Sequence, residues 1–230
     1  MPLTKLKEKL KTKSLSPLFG TIKRISATTI EAQGLRPSIG DIVKLVSLDG
    51  SKSELGMVTE INQYSFFISP FGFIEGFKSG DKVFISEQGM MIPVGEALLG
   101  RVVDPFIRPK DGKGFILSTV QSPIMKPPLD AMKRGLIDEP FSVGVKTIDA
   151  FLTCGKGQKM GIFAGSGVGK STLMGMIVRG SVAPVKVIAL IGERGREVPE
   201  FIQKNLGGNL ENTVIVVATS DDSPLMRKYG

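Results

Sequence analysis

A glycine-rich run in the second half of the chain contains the residue types that hold phosphate. Residues 164–171 read AGSGVGKS. They match the pattern Gly-x-x-x-x-Gly-Lys-[Ser/Thr] except that Ala164 stands at the first position. A methyl group is tolerated there if the backbone of Ala164 keeps a negative φ. A predicted strand (159–163) leads into the run and a predicted helix (171–179) leads out of it, so the pattern predicts a phosphate-binding loop.

Each residue type in this loop has a role in holding a nucleoside triphosphate. Backbone N–H groups of residues 165–170 can surround phosphate oxygens, and the start of the following helix adds the positive end of its dipole. Lys170 is predicted to neutralise the β- and γ-phosphates, and the hydroxyl of Ser171 to bind Mg²⁺. ATP and Mg²⁺ are therefore the expected ligands. The predicted binding residues are Ala164, Gly165, Ser166, Gly167, Val168, Gly169, Lys170, Ser171 and Thr172.

A second cluster of charged residues, GERGRE, follows the apolar run VKVIALI. If this run is a strand parallel to the one before the phosphate loop, Glu193 lies at the carboxyl edge of the sheet, where open α/β sheets bind ligands. A carboxylate there can polarise an attacking water, and Arg194 or Arg196 can meet phosphate charge. Together with Glu197, these residues are equally well explained as a solvated charge cluster at the start of a helix. Spacing alone leaves both interpretations open.

The elements around these residues alternate between strand and helix. Strands are predicted at KMGIFA (159–164), VKVIALI (185–191) and TVIVVAT (213–219), and helices at GKSTLMGMIVRG (169–180) and EVPEFIQKNL (197–206). Nearly continuous apolar strands separated by helices are typical of a parallel sheet covered on both faces. We therefore expect an α/β nucleotide domain over residues 141–230. Because only three such strands are present, we expect this domain to be truncated.

The preceding residues follow other patterns. Residues 17–90 alternate short runs rich in Val, Ile, Phe and Thr with runs of Gly, Pro, Asp and Ser, which predicts a small all-β barrel or sandwich. The proline-rich residues 91–140 are predicted to form a connector. Residues 1–16 form a basic amphipathic segment that can dock on a partner or touch an anionic membrane surface. A solvated terminus explains that segment equally well.

The composition excludes several kinds of protein. The chain has no histidine and one cysteine, Cys154, which excludes a Ser-His-Asp triad, a disulfide framework and the usual zinc sites. Of the net charge of +8, residues 1–14 supply half through five lysines and one glutamate. The rest is only mildly basic, so the charge does not require nucleic-acid binding. No apolar run is long enough to span a bilayer, and a cytosolic location is expected.

Three longer stretches resemble the catalytic subunits of rotary ATPases, and among these most strongly the flagellar type III protein-export ATPases. They are GEALLGRVVDPFIRPKDGKG (95–114), GVKTIDAFLTCGKGQKMGIFAGSGVGKSTL (144–173) and ALIGERGREV (189–198). The resemblance covers residues 17–230. It implies an N-terminal β-barrel, a RecA-like nucleotide domain and a C-terminal helical domain, assembled as a homo-hexamer that hydrolyses ATP-Mg at its subunit interfaces. The phosphate loop of this family admits Ala or Gly at the first position.

The resemblance also implies roles and partners. Glu193 would act on the attacking water and Arg194 would lie near the phosphates. The N-terminal segment would bind a regulatory stator-like protein, and the export apparatus and exported proteins would be further partners, with no nucleic acid. The location would be the cytoplasmic face of the inner membrane, with peripheral membrane association. Further active-site residues are expected beyond Gly230, so we expect the 230-residue chain to hydrolyse ATP poorly and to form a ring weakly or not at all.

Other functions share parts of this pattern. A virulence-type export ATPase and an ATP synthase head subunit are the nearest enzymes. A hexameric RNA helicase of the transcription-terminator type would need exposed aromatic side chains on the barrel for base stacking. Tyr64, Phe66 and Phe67 are available, but neighbouring residues of a strand face opposite sides, so one phenylalanine is expected in the core.

The barrel alternatively serves only as an assembly module. Under this hypothesis the loop PFGFIEGFKSG is the candidate contact with a neighbouring subunit, because it combines apolar residues with glycines. Its apolar residues are buried under the barrel or exposed for a neighbouring subunit; they are Phe71, Phe73, Ile74 and Phe77.

Overall fold

The computed structural model describes residues 18–86, 89–124, 126–165 and 167–230. The basic segment 1–16 and Ser166, for which the sequence makes predictions, lie outside these described residues. The chain divides into two compact units, with the division after Met90.

Six antiparallel strands of the first unit close into a barrel. They are β1 (Gly20–Ile25), β2 (Ile30–Gln33), β3 (Ile42–Val46), β4 (Ser53–Ile61), β5 (Phe66–Pro70) and β6 (Lys82–Ile85). The hydrogen-bonded order is β1-β2-β5-β4-β3-β6, and β6 pairs with β1 to close the barrel. Successive residues of a strand face opposite sides, so one side of each strand fills the interior. The interior is apolar and includes Ile22, Ile30, Val43, Leu45, Val58, Phe66, Ile68 and Val83. The predicted barrel is confirmed.

The aromatic residues of the barrel divide between core and surface. Phe66 is fully buried while Tyr64 is 81% exposed, so one of the two adjacent phenylalanines belongs to the core, as predicted. In the glycine-rich loop, Phe71 and Phe77 are buried, whereas Phe73 is 78% exposed. Most of the phenylalanine side chains of this loop are therefore buried and contribute to the packing of the barrel unit.

The second unit contains short strands and helices. Its strands are β7 (Met91–Pro93), β8 (Val102–Val103), β9 (Gln121–Pro123), β10 (Pro140–Phe141), β11 (Cys154–Gly155), β12 (Lys186–Ile191) and β13 (Thr213–Ala218). Its helices are α1 (Lys146–Phe151), α2 (Lys170–Gly180), α3 (Glu197–Glu200), which continues as a π-helical segment over Phe201–Asn205, and α4 (Pro224–Tyr229). Short 3₁₀ turns lie at Glu96–Leu98 and Ala131–Lys133. No helix within the described residues is long and apolar enough to cross a membrane.

A three-stranded parallel sheet organises this unit. Its order is β12-β13-β8, and β12 pairs with β13 over the full length of both strands. The central strand β13 is buried on both faces, as its continuous apolar run predicts. Strand β8 comes from residues 91–140, which the sequence analysis predicts to be a connector.

Each face of the sheet is covered by a different part of the unit. Helices α2 and α3 pack on one face through Met174, Val178, Val198 and Phe201, against Leu190 and Ile215 of the strands. The other face is covered by residues 92–116, whose apolar side chains pack around Val103 and Val214. This packing fixes where α2 begins relative to the carboxyl end of β12.

The predicted strand over residues 159–163 is wrong. These residues form no strand, and Phe163 is 97% exposed. A strand is stabilised by hydrogen bonds to a neighbouring strand, and none of the strands in the described part of the chain pairs with this segment. The phosphate loop is therefore held here by the packing of α2 and not by a strand in the sheet.

Candidate nucleotide-binding site

The phosphate loop is shaped by glycines at its end. Gly167 and Gly169 have φ angles of 78° and 90°, in the left-handed region that residues with a side chain rarely adopt. A Cβ atom at either position would meet nothing within 4 Å, so the backbone angle is the reason for glycine here. Helix α2 begins directly after this turn, and Leu173 N donates to Gly169 O at 2.9 Å. Lys170 and Ser171 therefore occupy the first turn of the helix.

The loop opens into a cavity of about 620 Å³. One wall is formed by the loop and the first turn of α2, and the other by the residues after β12 and by α3. The lining residues are Gly165, Gly167, Gly169, Lys170, Ser171, Thr172, Met174, Leu190, Glu193, Glu197, Glu200, Phe201, Lys204 and Asn205. A polyphosphate in this cavity would meet lysine, hydroxyl and backbone N–H groups on one wall and carboxylates on the other.

A hollow of similar volume, about 650 Å³, lies on the barrel. Its lysine, Lys52, already donates to the backbone oxygen of Glu75 at 2.7 Å. The residues lining this hollow include neither a glycine-rich loop nor a helix start. The cavity at α2 is therefore the better candidate for a nucleotide.

Glu193 has an altered acidity in the cavity. Partial burial raises the pKa of its carboxyl group above the ordinary value of 4.5, and a hydrogen bond with the Glu197 carboxyl group and the charge of Glu197 raise it further. The positive charge of Lys170 acts in the opposite direction and lowers this pKa. A carboxylate with a raised pKa accepts a proton more readily, as a general base must.

The backbone of Glu193 is held by the neighbouring strand. Gly192 N donates to Ala218 O at 2.7 Å, and Ser220 N donates to Glu193 O at 2.9 Å. Both bonds join the loop after β12 to the residues at the end of β13. The parallel pairing of β12 and β13 thus continues past the strand ends and fixes the position of Glu193.

Helix α2 and the π-helical segment, which both contribute lining residues to the cavity, pack closely against each other. A Cβ atom at Gly175 would lie 2.6 Å from Asn205 Cβ, which is closer than two non-bonded carbon atoms can approach. The guanidinium of Arg179 donates to the backbone oxygen of Asn205. The absence of a side chain at Gly175 therefore allows the two helical segments to meet.

Comparisons with known proteins show which proteins the chain resembles. A family model, the nucleotide-binding domain of the ATP synthase alpha/beta family, matches residues 144–229. The flagellum-specific ATP synthase of Helicobacter pylori (strain ATCC 700392 / 26695) is 58% identical over 231 residues, covering 100% of this chain and 53% of that protein. The type 3 secretion system ATPase of Xanthomonas euvesicatoria is 40% identical over 225 residues, covering 97% and 51%. The chain is thus similar to the ATPases of flagellar and type III secretion systems.

A solved structure of the family supports the same fold. The assembled ATPase EscN of the enteropathogenic E. coli type III secretion system matches with a TM-score of 0.78 at 41% identity, covering 90% of this chain and 50% of that chain. The present chain spans about half the length of the relatives it matches. These matches confirm the predicted resemblance, and together with the closed barrel they confirm the predicted combination of a barrel with a nucleotide domain.

The structure brings most of the predicted site residues together. Lys170, Ser171, Thr172 and Glu193 all line the cavity. Ala164 and Val168 do not line it, although both belong to the loop. Arg194 is not among the residues that line the cavity. Its side chain is 70% exposed, with Nη1 3.5 Å from Oε1 of Glu197, so a contact of Arg194 with phosphate stays a prediction.

Several residues of the α3 wall are not among the predicted site residues. The sequence predicts Glu197 only as part of a charge cluster and assigns no role to Glu200 and Lys204. Their spacing carries a signal, because positions 197, 200 and 204 are separated by three and four residues and so share one face of the predicted helix. Lys204 Nζ lies 2.7 Å from Glu200 Oε1.

Proposed function

We propose that this protein is the ATPase that energises protein export during flagellum assembly and that it hydrolyses ATP-Mg in the cavity between α2 and α3. The observation that carries the proposal is that Lys170, on the phosphate loop, and Glu193, after β12, line the same cavity. Enzymes of this class need a cation at the phosphates and a group that orients water on the same site.

The residues of the cavity have different roles in hydrolysis. Backbone N–H groups of the loop and the Lys170 ammonium bind the β- and γ-phosphates. The Ser171 hydroxyl lies next to Lys170 in the first turn of α2 and offers the hard oxygen ligand that Mg²⁺ prefers. The bound ion would neutralise charge on the transferred phosphoryl group. Glu193 orients and polarises the attacking water, and Arg194 would turn from Glu197 towards the phosphates once they are bound.

Assembly and partners are also part of the proposal. EscN has been solved as an assembled ATPase and in complex with its central stalk EscO, which supports a homo-hexameric ring and a stalk partner here. A regulatory stator-like protein at residues 1–16, contact with the export apparatus and exported proteins, and a location at the cytoplasmic face of the inner membrane complete the proposed setting. The flagellar relative is 58% identical and the virulence-type relative 40%, which favours flagellar export over virulence.

A genetic experiment distinguishes a role in flagellar export from a role in virulence-type secretion. A strain that lacks the full-length protein should fail to build flagella and to swim, and the wild-type gene should restore both. The Lys170→Ala variant should restore neither, because it cannot hold the phosphates. The Lys156→Ala variant is the matched control, since Lys156 pairs with Glu139 outside the cavity. Normal flagella in the deleted strain, with loss of virulence-type secretion instead, would overturn the flagellar assignment.

A further inference from the structure

The turn that follows β13 is closed by one carboxylate. Oδ2 of Asp222 accepts hydrogen bonds from Thr219 N at 2.7 Å and from Thr219 Oγ1 at 3.0 Å. Asp222 N donates back to Thr219 O at 3.1 Å. Three hydrogen bonds between two residues fix the path of the backbone between them. Ser220, which lies between Thr219 and Asp222, is thereby held in one place.

The same carboxylate is held from its other side. Oδ1 of Asp222 lies 3.6 Å from Nζ of Lys110, and the Asp222 side chain is 19% exposed. The backbone of Lys110 is anchored in turn, because Lys110 N donates to Val102 O at 2.8 Å. The turn after β13 is thus connected through Asp222 and Lys110 to β8, the strand on the other side of β13.

The residue at the centre of the turn holds Glu193. Ser220 N donates to Glu193 O at 2.9 Å. A change in the turn would therefore move the backbone of Glu193 without touching the phosphate loop. Asp222 itself does not line the cavity.

We propose that Asp222, held by Lys110, is a positioning residue. Through Ser220 it fixes the backbone of Glu193, so that the Glu193 carboxylate is placed to act on the attacking water. The proposal rests on the proposed role of Glu193 in hydrolysis. Catalysis depends on such placement, and a displacement of about 1 Å can lower a rate by roughly 10²-fold. Nucleotide binding depends on the loop and on α2, and among the described residues of both Asp222 has no hydrogen-bond or ion-pair partner, so the effect falls on turnover and not on affinity.

The first test compares kcat with KM in the full-length protein. Asp222→Ala should lower kcat by about tenfold or more and leave the KM for ATP-Mg within about twofold. Asp222→Asn keeps an oxygen for Thr219 but loses the charge that faces Lys110, so it should recover part of the rate. Lys110→Met removes only the cationic partner and should lower kcat less than Asp222→Ala. Asp221→Ala is the matched control on the neighbouring exposed carboxylate and should leave kcat within about twofold.

The second test repeats Asp222→Ala in a Glu193→Gln background. If Asp222 acts through Glu193, the double variant should hydrolyse ATP no more slowly than Glu193→Gln alone, because effects that share one step do not add. If Asp222→Ala lowers kcat by the same factor in the wild-type and Glu193→Gln proteins, the positioning role is overturned. A rise in KM for ATP-Mg with unchanged kcat would overturn it as well. Normal turnover by Glu193→Gln would instead overturn the proposed function itself, and these failures are distinguishable.

Discussion

Lys170 and Glu193 line the same cavity, where burial and Glu197 raise the pKa of the Glu193 carboxyl group and the charge of Lys170 lowers it. This placement gives the site both charges that hydrolysis of a phosphoanhydride uses, a cation for the phosphates and a carboxylate for the water. The balance between these opposing influences on Glu193 can be measured.

The pH dependence of kcat/KM should shift when Glu197 is replaced by glutamine. Glu193 acts on water only when it is ionised, so a raised pKa places the acid limb of kcat/KM above that of an ordinary glutamate. Glu197→Gln removes the negative charge that opposes ionisation of Glu193. The pKa of Glu193 then falls and the acid limb moves to lower pH.

The measurement is kcat/KM for ATP-Mg between pH 5 and pH 8, with wild type and variant compared on the same substrate. Glu139→Gln, a change of an exposed residue paired with Lys156, is the control. An acid limb that stays in place, or moves to higher pH, contradicts this account of Glu193.

A methyl group at Gly175 should separate α2 from the π-helical segment. Alanine normally stabilises a helix relative to glycine by up to about 1 kcal/mol. At Gly175 the new Cβ would lie 2.6 Å from Asn205 Cβ and 3.0 Å from Asn205 O. Such overpacking costs typically 1–3 kcal/mol, so we expect Gly175→Ala to lower the free energy of unfolding by about 1–2 kcal/mol. Urea denaturation measures this change. Met176→Ala on the half-exposed neighbouring position should stay within roughly 0.5 kcal/mol. A Gly175→Ala protein as stable as the wild type would show that the close contact does not constrain the two segments.

These residues show what a single sequence can predict and what it cannot. The phosphate loop and α2 follow from local chemistry, because glycines, Lys170 and an apolar helical period are all visible within a few residues. The barrel follows from strand period and turn residues. The strand predicted over residues 159–163 did not form, because strand formation depends on a neighbour that local pattern does not supply. The bond from Ser220 to Glu193 and the tie from Asp222 to Lys110 join residues far apart in sequence, and only the folded chain brings them together.

The ion pair between Arg101 and Asp111 should make stability depend on pH. Nε and Nη2 of Arg101 donate to Asp111 at 2.7 Å and 3.1 Å, and both side chains are largely buried. The hydrogen bond from Arg101 lowers the pKa of Asp111 well below its ordinary value of 3.8. Because the folded pKa is the lower one, this stabilisation is fully present above pH 3.8 and is lost as the pH falls through the folded value.

Asp111→Asn tests that dependence. The variant should lose about 1.5–3 kcal/mol of unfolding free energy at pH 7, the range typical of hydrogen bonds to a charged group. Its difference from the wild type should shrink as the pH is lowered below 3.8. Urea denaturation at pH 7 and at pH 3 gives both values. A difference of the same size at both pH values would show that the lost contact does not depend on the charge of Asp111.

The central claim is that this cavity binds ATP-Mg and that Glu193 acts on the attacking water. The most direct measurement is ATP affinity and steady-state ATP hydrolysis on the same preparations of full-length wild type, Lys170→Ala and Glu193→Gln. We predict that Glu193→Gln binds ATP within about threefold of the wild type but hydrolyses it at least roughly 10²-fold more slowly, and that Lys170→Ala loses both binding and turnover. Wild-type turnover by Glu193→Gln, or undiminished ATP binding by Lys170→Ala, would contradict the account.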